Sequence, residues 1–226
     1  MISLEHKFIF LENPKTATTS ICGELTELID VNLEINLLKK LRHNTILNAH
    51  LGNLSRSGGK QWRDGHLPPN FYSRDFLDKG FLIFGVIRNP WDRFLSAFLH
   101  NYRERQRENV YEKSMFEKLS KWDSFENFCF HLKESLKIDP CFTSGHFIKQ
   151  SYFLNDSIKD VKLVNYNNIK SDLTNLLNNL GLNFKLKHHW NNSEKITSYR
   201  DYYTEETKSI VADLYREDIK NFNFQF

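Results

Sequence analysis

The sequence predicts a three-layer α/β/α domain with a central parallel sheet, and three observations carry that expectation. Two short apolar runs, Lys7-Phe8-Ile9-Phe10-Leu11 and Phe81-Leu82-Ile83-Phe84-Gly85-Val86-Ile87, have the length and composition of buried strands. Each passes through a polar turn into a segment whose apolar residues recur at helical spacing. The second run is apolar on both faces, as a central parallel strand is. A chain of 226 residues is long enough for one such domain, spanning residues 1–226, and not comfortably long enough for two.

The elements follow in order. After the first strand comes Glu12-Asn13-Pro14-Lys15-Thr16-Ala17-Thr18-Thr19-Ser20, a turn of small and polar residues. From about Thr18 the apolar positions Ile21, Leu25, Leu28 and Ile29 predict a helix. Residues 33–41 form a candidate helix and residues 55–59 a loop. The strand ending at Ile87 leads into Arg88-Asn89-Pro90-Trp91-Asp92-Arg93. There Asn89 suits a helix N-cap, Pro90 the first helical position, and Asp92 the positive helix end. Trp91, Phe94, Leu95, Phe98, Leu99 and Tyr102 then share one helix face. Residues 103–121 carry both charge signs, the pattern of a solvated helix or loop. Residues 123–136 predict another helix, and Val161-Lys162-Leu163-Val164 a third strand. Ile169, Leu173, Leu176, Leu177 and Leu180 mark a helix stopped by Gly181. Finally, Thr204 caps a helix with Ile210, Val211, Leu214, Tyr215 and Ile219 facing inward.

Composition narrows the function classes. Hydrophobic residues make up 40% and charged residues 26%, which excludes a disordered or fibrous chain. The 19 phenylalanines favour an aromatic core or an apolar cleft. A net charge of +3 suits anionic ligands but falls well short of a nucleic-acid-coating protein. The cysteines, Cys22, Cys129 and Cys141, are widely spaced and form no CxxC pair. Neither a zinc site nor a disulfide framework is expected, and a reducing compartment is the simplest setting. No stretch approaches the ~20 apolar residues of a membrane span, and the N-terminal apolar run is too short for a signal peptide. A cytoplasmic location follows as the expectation.

Two segments carry chemistry. The turn from Pro14 to Ser20 joins a strand end to a helix start, where backbone N–H groups and the positive helix dipole face outward. Hydroxyls on Thr18, Thr19 and Ser20 add donors, and Lys15 adds a mobile cation. The composition suits a phosphate or sulfate. It is not the GxxxxGK[ST] loop, having no glycine before Gly23. A threonine-rich helix cap with a surface lysine accounts for the same residues. The second segment places Arg88 at the end of the strongest strand, where ligands of parallel sheets collect, with Ser96 off the apolar face of the next helix. The Arg88 fork can grip a phosphate through two hydrogen bonds. An ion pair with Asp92 is the alternative use.

The stretch from Phe8 to Ser20 resembles the 5′-phosphosulfate loop of the sulfotransferases that use 3′-phosphoadenosine 5′-phosphosulfate (PAPS). The stretch from Phe84 to Phe98 is similar to their 3′-phosphate motif. The variant resembles the carbohydrate (Golgi-type) sulfotransferases and their bacterial relatives more than the cytosolic steroid and phenol enzymes. Tyr166-Asn167-Asn168-Ile169, with Asn for the usual acid, Trp190-Asn191-Asn192-Ser193 and Tyr199-Arg200-Asp201-Tyr202-Tyr203 extend the similarity over most of the chain. Ala17 and Thr18 stand where relatives often carry glycines, and Ala17 is compatible if its backbone is right-handed.

The resemblance implies a P-loop NTPase-like sulfotransferase fold and metal-independent in-line transfer of a sulfuryl group to a hydroxyl acceptor, a carbohydrate or other small molecule. By analogy Lys15 meets the charge that builds on the leaving phosphate, with Thr16, Ala17, Thr18, Thr19 and Ser20 forming the cradle. Arg88 and Ser96 would hold the 3′-phosphate, and Lys195 and Arg200 could close over the nucleotide. The general base is expected at His66, 22 residues before Arg88, with His50 second. A structural hydrogen bond is the ordinary role of any one loop histidine, and surface charge that of Lys195 and Arg200. No metal, nucleic-acid partner or membrane span is expected.

The sequence leaves two other functions open. A P-loop kinase-like, ATP-dependent transferase would need magnesium, but no acidic residue ends the strand at Ile87 to hold it. A non-catalytic nucleotide- or glycan-binding protein on the same fold would keep Lys15 and Arg88 and lack turnover.

Overall fold

The computed structural model describes residues 1–29, 80–106, 124–138, 146–154, 160–186 and 198–226. The expected helix at 33–41, the loop at 55–59, most of the charged stretch 103–121, and His50, His66, Cys141 and Lys195 lie outside the described residues. Contacts divide the chain into two units, Met1–Arg88 with Gln150–Trp190, and Asn89–Lys149 with Asn191–Phe226.

The first unit is built on a four-stranded mixed sheet in the order β1-β2-β3-β4, with β1 at Ile2–Ser3, β2 at Phe8–Leu11, β3 at Leu82–Ile87 and β4 at Lys162–Asn165. β2, β3 and β4 are parallel, in the register Phe10↔Phe84 and Val86↔Val164. β1 pairs antiparallel with β2. That short strand was not evident from the sequence, since two residues show no periodicity.

Because side chains alternate across a strand, Phe8 and Phe10 face one side of the sheet and Ile9 and Leu11 the other. On the first side Phe10 stacks on Phe84 at 5.1 Å between ring centroids. These rings pack with Val86, Val164, Ile21, Cys22 and Leu25 of helix α1 (Thr18–Leu25), and with Ile169, Leu173 and Leu177 of a later helix, Ile169–Asn178. On the opposite side a short helix, Gln150–Phe153, leads into Leu154. Leu154 Cδ2 lies where a Cβ on Gly85 would stand, so the glycine allows the chain to approach β3 closely. β4 is buried only at Val164, and Leu163 is 44% exposed.

Two expected helices are shorter than their periodicity. α1 ends at Leu25 and continues as a 3-10 turn, Thr26–Leu28. The Thr26 hydroxyl donates to the Cys22 carbonyl at 2.6 Å, a local bond that competes with the α ladder. The helix Ile169–Asn178 ends before Leu180, which is 37% exposed rather than in the core. Its stop is a Schellman arrangement. Gly181, at φ 78°, donates to Asn178, and Leu182 donates back to Leu177.

The second unit is helical: α2 at Pro90–Gln106, α3 at Phe125–Ile138, α6 at Glu205–Leu214 and α7 at Arg216–Phe222, so that the helices Gln150–Phe153 and Ile169–Asn178 of the first unit are α4 and α5. Asn89 caps α2 as expected, its Oδ1 accepting from the Trp91 N–H at 3.1 Å. Trp91, Phe94, Leu95 and Phe98 are buried against Phe125, Phe128 and Leu132 of α3, and Val211 of α6. Thr204 caps α6 in a reciprocal pair with Thr207. The expected single closing helix breaks at Tyr215, whose φ of −113° leaves the helical region, so Ile219 lies in α7. Tyr215 is held there by its hydroxyl, which donates to the Phe147 carbonyl at 2.8 Å. No described helix is long and apolar enough to cross a membrane.

Candidate functional site

β2, β3 and β4 are parallel, so their C-terminal ends lie on one edge of the sheet, the edge at which ligands of such sheets bind. Each delivers a segment there: the loop Glu12 to Ala17 after β2, Arg88 after β3, and Tyr166 after β4.

The loop after β2 is held from inside. Asn13 is fully buried, and its carbonyl accepts two hydroxyls, from Thr16 at 2.8 Å and Thr18 at 2.6 Å. Those hydroxyls therefore shape the loop, and the Thr18 proton points back into it rather than outward. Lys15 and Ala17 take left-handed conformations, φ 65° and 63°, with Thr16 between them. Ala17 is thus left-handed, not in the right-handed conformation with which alanine is readily compatible. The loop holds an L-residue in a conformation that glycine adopts without cost. Ala17 is also the N-cap of α1, and no side chain caps the helix. No threonine side chain therefore caps this helix. The N–H groups of the first turn, at Thr18 and Thr19, have no acceptor within the helix. Thr19 is half-buried and Ser20 fully buried.

Arg88 meets this loop directly. Its Nη1 donates to the Lys15 carbonyl at 3.0 Å, and its guanidinium lies 4.1 Å from the centre of the Tyr166 ring. Its main chain is held by Gln150, whose Oε1 accepts from the Arg88 N–H and whose Nε2 donates to the Arg88 carbonyl. Lys15 and Arg88 are both half-buried. The arrangement brings two cations and an uncapped helix start to one sheet edge, a donor set that fits a polyanion and contains no acidic cluster for a metal among the described residues.

Two more of the expected residues lie in the second unit. Ser96 is half-buried on α2. Arg200 is exposed in the 3-10 turn Tyr199–Tyr202, with its guanidinium 4.7 Å from the Tyr199 ring and 5.6 Å from the Phe226 ring. Sequence reasoning missed Asn13, Gln150 and the stacking role of Tyr166. The one local signal was Gln150 itself, a lone amide ahead of the buried pair Phe153 and Leu154. No curated protein and no solved structure matches the chain. A model of the sulfotransferase family matches residues 1–225, and the chain, an enzyme of sulfuryl transfer, belongs to that family.

Proposed function

We propose that the protein transfers the sulfuryl group of PAPS to a hydroxyl of a carbohydrate, without a metal, as one domain formed by both units. The carrying observation is the hydrogen bond from Arg88 to the Lys15 carbonyl, which joins the two anion-binding segments at one sheet edge. The family match running through both units supports reading them as one domain. The nucleotide supplies an activated sulfuryl group on a phosphate leaving group. Lys15 offsets charge on the leaving oxygen, and the N–H groups at the start of α1, with Thr16 to Ser20, cradle the 5′ side. Arg88 and Ser96 hold the 3′-phosphate, the group that separates PAPS from ATP. Arg200 and Lys195 close over the nucleotide. His66 takes the acceptor's proton, with His50 as the second candidate. A carbohydrate acceptor rests on the similarity of both motifs to carbohydrate sulfotransferases. The buried thiols of Cys22 and Cys129 fit a reducing, cytoplasmic setting.

Thermal unfolding with 3′-phosphoadenosine 5′-phosphate, set against magnesium-ADP, tests the donor. A ligand at a hundredfold excess over Kd adds about 2.7 kcal/mol, which raises the midpoint by roughly 5–10 °C for a domain of this size. The expected result is a shift with the 3′-phosphorylated nucleotide alone, lost in Arg88→Met when each protein is compared with its own unliganded midpoint. A shift with magnesium-ADP instead would point to a kinase-like transferase.

A further inference from the structure

Two side-chain amides extend the sheet past the point where its strands stop pairing. Backbone pairing of β2 with β3 ends at Leu11↔Gly85, and that of β3 with β4 at Ile87↔Asn165. Beyond those points Asn13 Nδ2 donates to the Val86 carbonyl at 2.9 Å. Gln150 Oε1 accepts from the Arg88 N–H at 2.9 Å, and its Nε2 donates to the Arg88 carbonyl at 2.8 Å. This is the pair of bonds that a residue on an antiparallel strand exchanges with its opposite number. Asn13 Nδ2 also donates to Gln150 Oε1 at 2.9 Å, so the two amides are linked to each other. Asn13 and Gln150 are both 0% exposed.

We propose that Gln150 is a positioning residue for Arg88, and that Asn13 ties its placement to the loop carrying Lys15. The proposal rests on the reading of Arg88 as the 3′-phosphate ligand. Arg88 stands one residue past the end of β3, where a backbone without ladder partners frays. Its guanidinium is clasped at the far end by the Lys15 carbonyl and the Tyr166 ring. Gln150 holds the near end. The 5′ and 3′ groups of a nucleotide are a fixed distance apart, so a site that grips both needs its two cations held to within about 0.5 Å. The chain Lys15 loop, Asn13, Gln150, Arg88 gives that spacing a rigid internal reference. Close packing of Leu154 on Gly85 seats the segment that carries Gln150 against β3.

The test is the affinity of the full chain for two nucleotides: 3′-phosphoadenosine 5′-phosphate, and adenosine 5′-phosphosulfate, which lacks the 3′-phosphate. Gln150→Met keeps the side-chain length and removes both bonds to Arg88. It is expected to weaken binding of the first ligand about tenfold or more and to leave the second within about twofold. In an Arg88→Met background the same change is expected to have no further effect on either ligand. Equal losses for both ligands, or an undiminished loss when Arg88 is already gone, would overturn the proposal and leave Gln150 as a structural amide only. Should Gln150→Met fail to fold, Gln150→Glu carries the test. It keeps the acceptor for the Arg88 N–H and for Asn13, loses the donor to the Arg88 carbonyl, and is expected to show the same selective loss. A wild type that does not favour the 3′-phosphorylated ligand, or whose preference survives Arg88→Met, removes the reading of Arg88 itself and this proposal with it. A preference that depends on Arg88 and not on Gln150 removes this proposal alone.

Discussion

Arg88 Nη1 donates to the carbonyl of Lys15 across 73 residues of sequence, at 3.0 Å. Arg88 is therefore a clasp on the loop after β2 as well as a cation beside it. Removing the guanidinium leaves a part-buried carbonyl without this donor and strips one face of the Tyr166 ring. Arg88→Met is expected to lose about 1–2 kcal/mol in the absence of any ligand. At roughly 2–4 °C per kcal/mol the midpoint falls by roughly 2–8 °C in calorimetry. An unchanged midpoint would mean that the clasp contributes nothing in solution.

Ala17 is held at φ 63° and ψ 22°, a region that disfavours any side chain. The left-handed conformation costs an L-residue roughly 1–2 kcal/mol, and a glycine's extra chain entropy costs about 0.5–1 kcal/mol. Ala17→Gly is thus expected to raise stability by up to about 1 kcal/mol, while Ala17→Val lowers it. Urea unfolding of the three proteins gives the ranking, and a less stable Ala17→Gly contradicts the left-handed geometry.

Gly85 marks the close approach of Leu154 to β3. A Cβ there would stand 2.3 Å from Leu154 Cδ2 and 3.4 Å from the Leu11 carbonyl oxygen. Gly85→Ala is expected to lose about 1–3 kcal/mol through overpacking, and Leu154→Ala about 2–5 kcal/mol through the cavity it leaves. The double variant should lose less than the sum by about 1 kcal/mol, because the added methyl then occupies vacated space. Strict additivity in denaturant titrations would show that the two residues do not meet.

Burial pushes the Cys129 thiol up from 9.0 to about 12, with the nearby Glu126 carboxylate adding to the effect. Burial likewise holds the Tyr203 hydroxyl well above its ordinary value of 10.0, and raises Tyr215. Each group is neutral when folded at a pH where it ionises when unfolded. The stability it contributes is complete below the unfolded value and is lost as pH rises toward the folded one. For Cys129 that window runs from 9.0 to about 12, with a slope of about 1.4 kcal/mol per pH unit. Urea midpoints measured from pH 8 to 11 should fall faster in the wild type than in Cys129→Ala. Parallel profiles would show that Cys129 is not buried as described.

The start of α6 rests on two threonines. Thr204 Oγ1 accepts from the Thr207 N–H at 3.2 Å, and Thr207 Oγ1 accepts from the Thr204 N–H at 3.0 Å. Thr204→Ala is expected to lose about 1 kcal/mol, and Thr204→Ser only a fraction of that, by thermal unfolding. An equal loss for both would assign the effect to the methyl group rather than to the cap.

Much of this protein was legible before its structure. β2 and β3 are apolar runs bounded by turns. The N-cap at Asn89, the cap at Thr204 and the stop at Gly181 are short-range signals that depend on a few neighbouring residues. The same is true of the two candidate anion-binding segments, since a strand end, a turn and a helix start are adjacent in sequence. Helix lengths were less legible. The breaks at Leu25 and Tyr215 follow from a threonine back-bond and from a tyrosine bonded to Phe147, and apolar spacing registers neither. The handedness of Ala17 was also out of reach, because alanine shows no preference for the conformation that its loop imposes. Above all, the pairing of Lys15 with Arg88 and the Gln150 amide beneath them join residues separated by 62 to 137 positions. Local pattern supplied the parts of the site, because strands and caps are set by nearest neighbours. Which parts meet was left to the packed sheet, because only its parallel register carries the ends of β2, β3 and β4 to one edge.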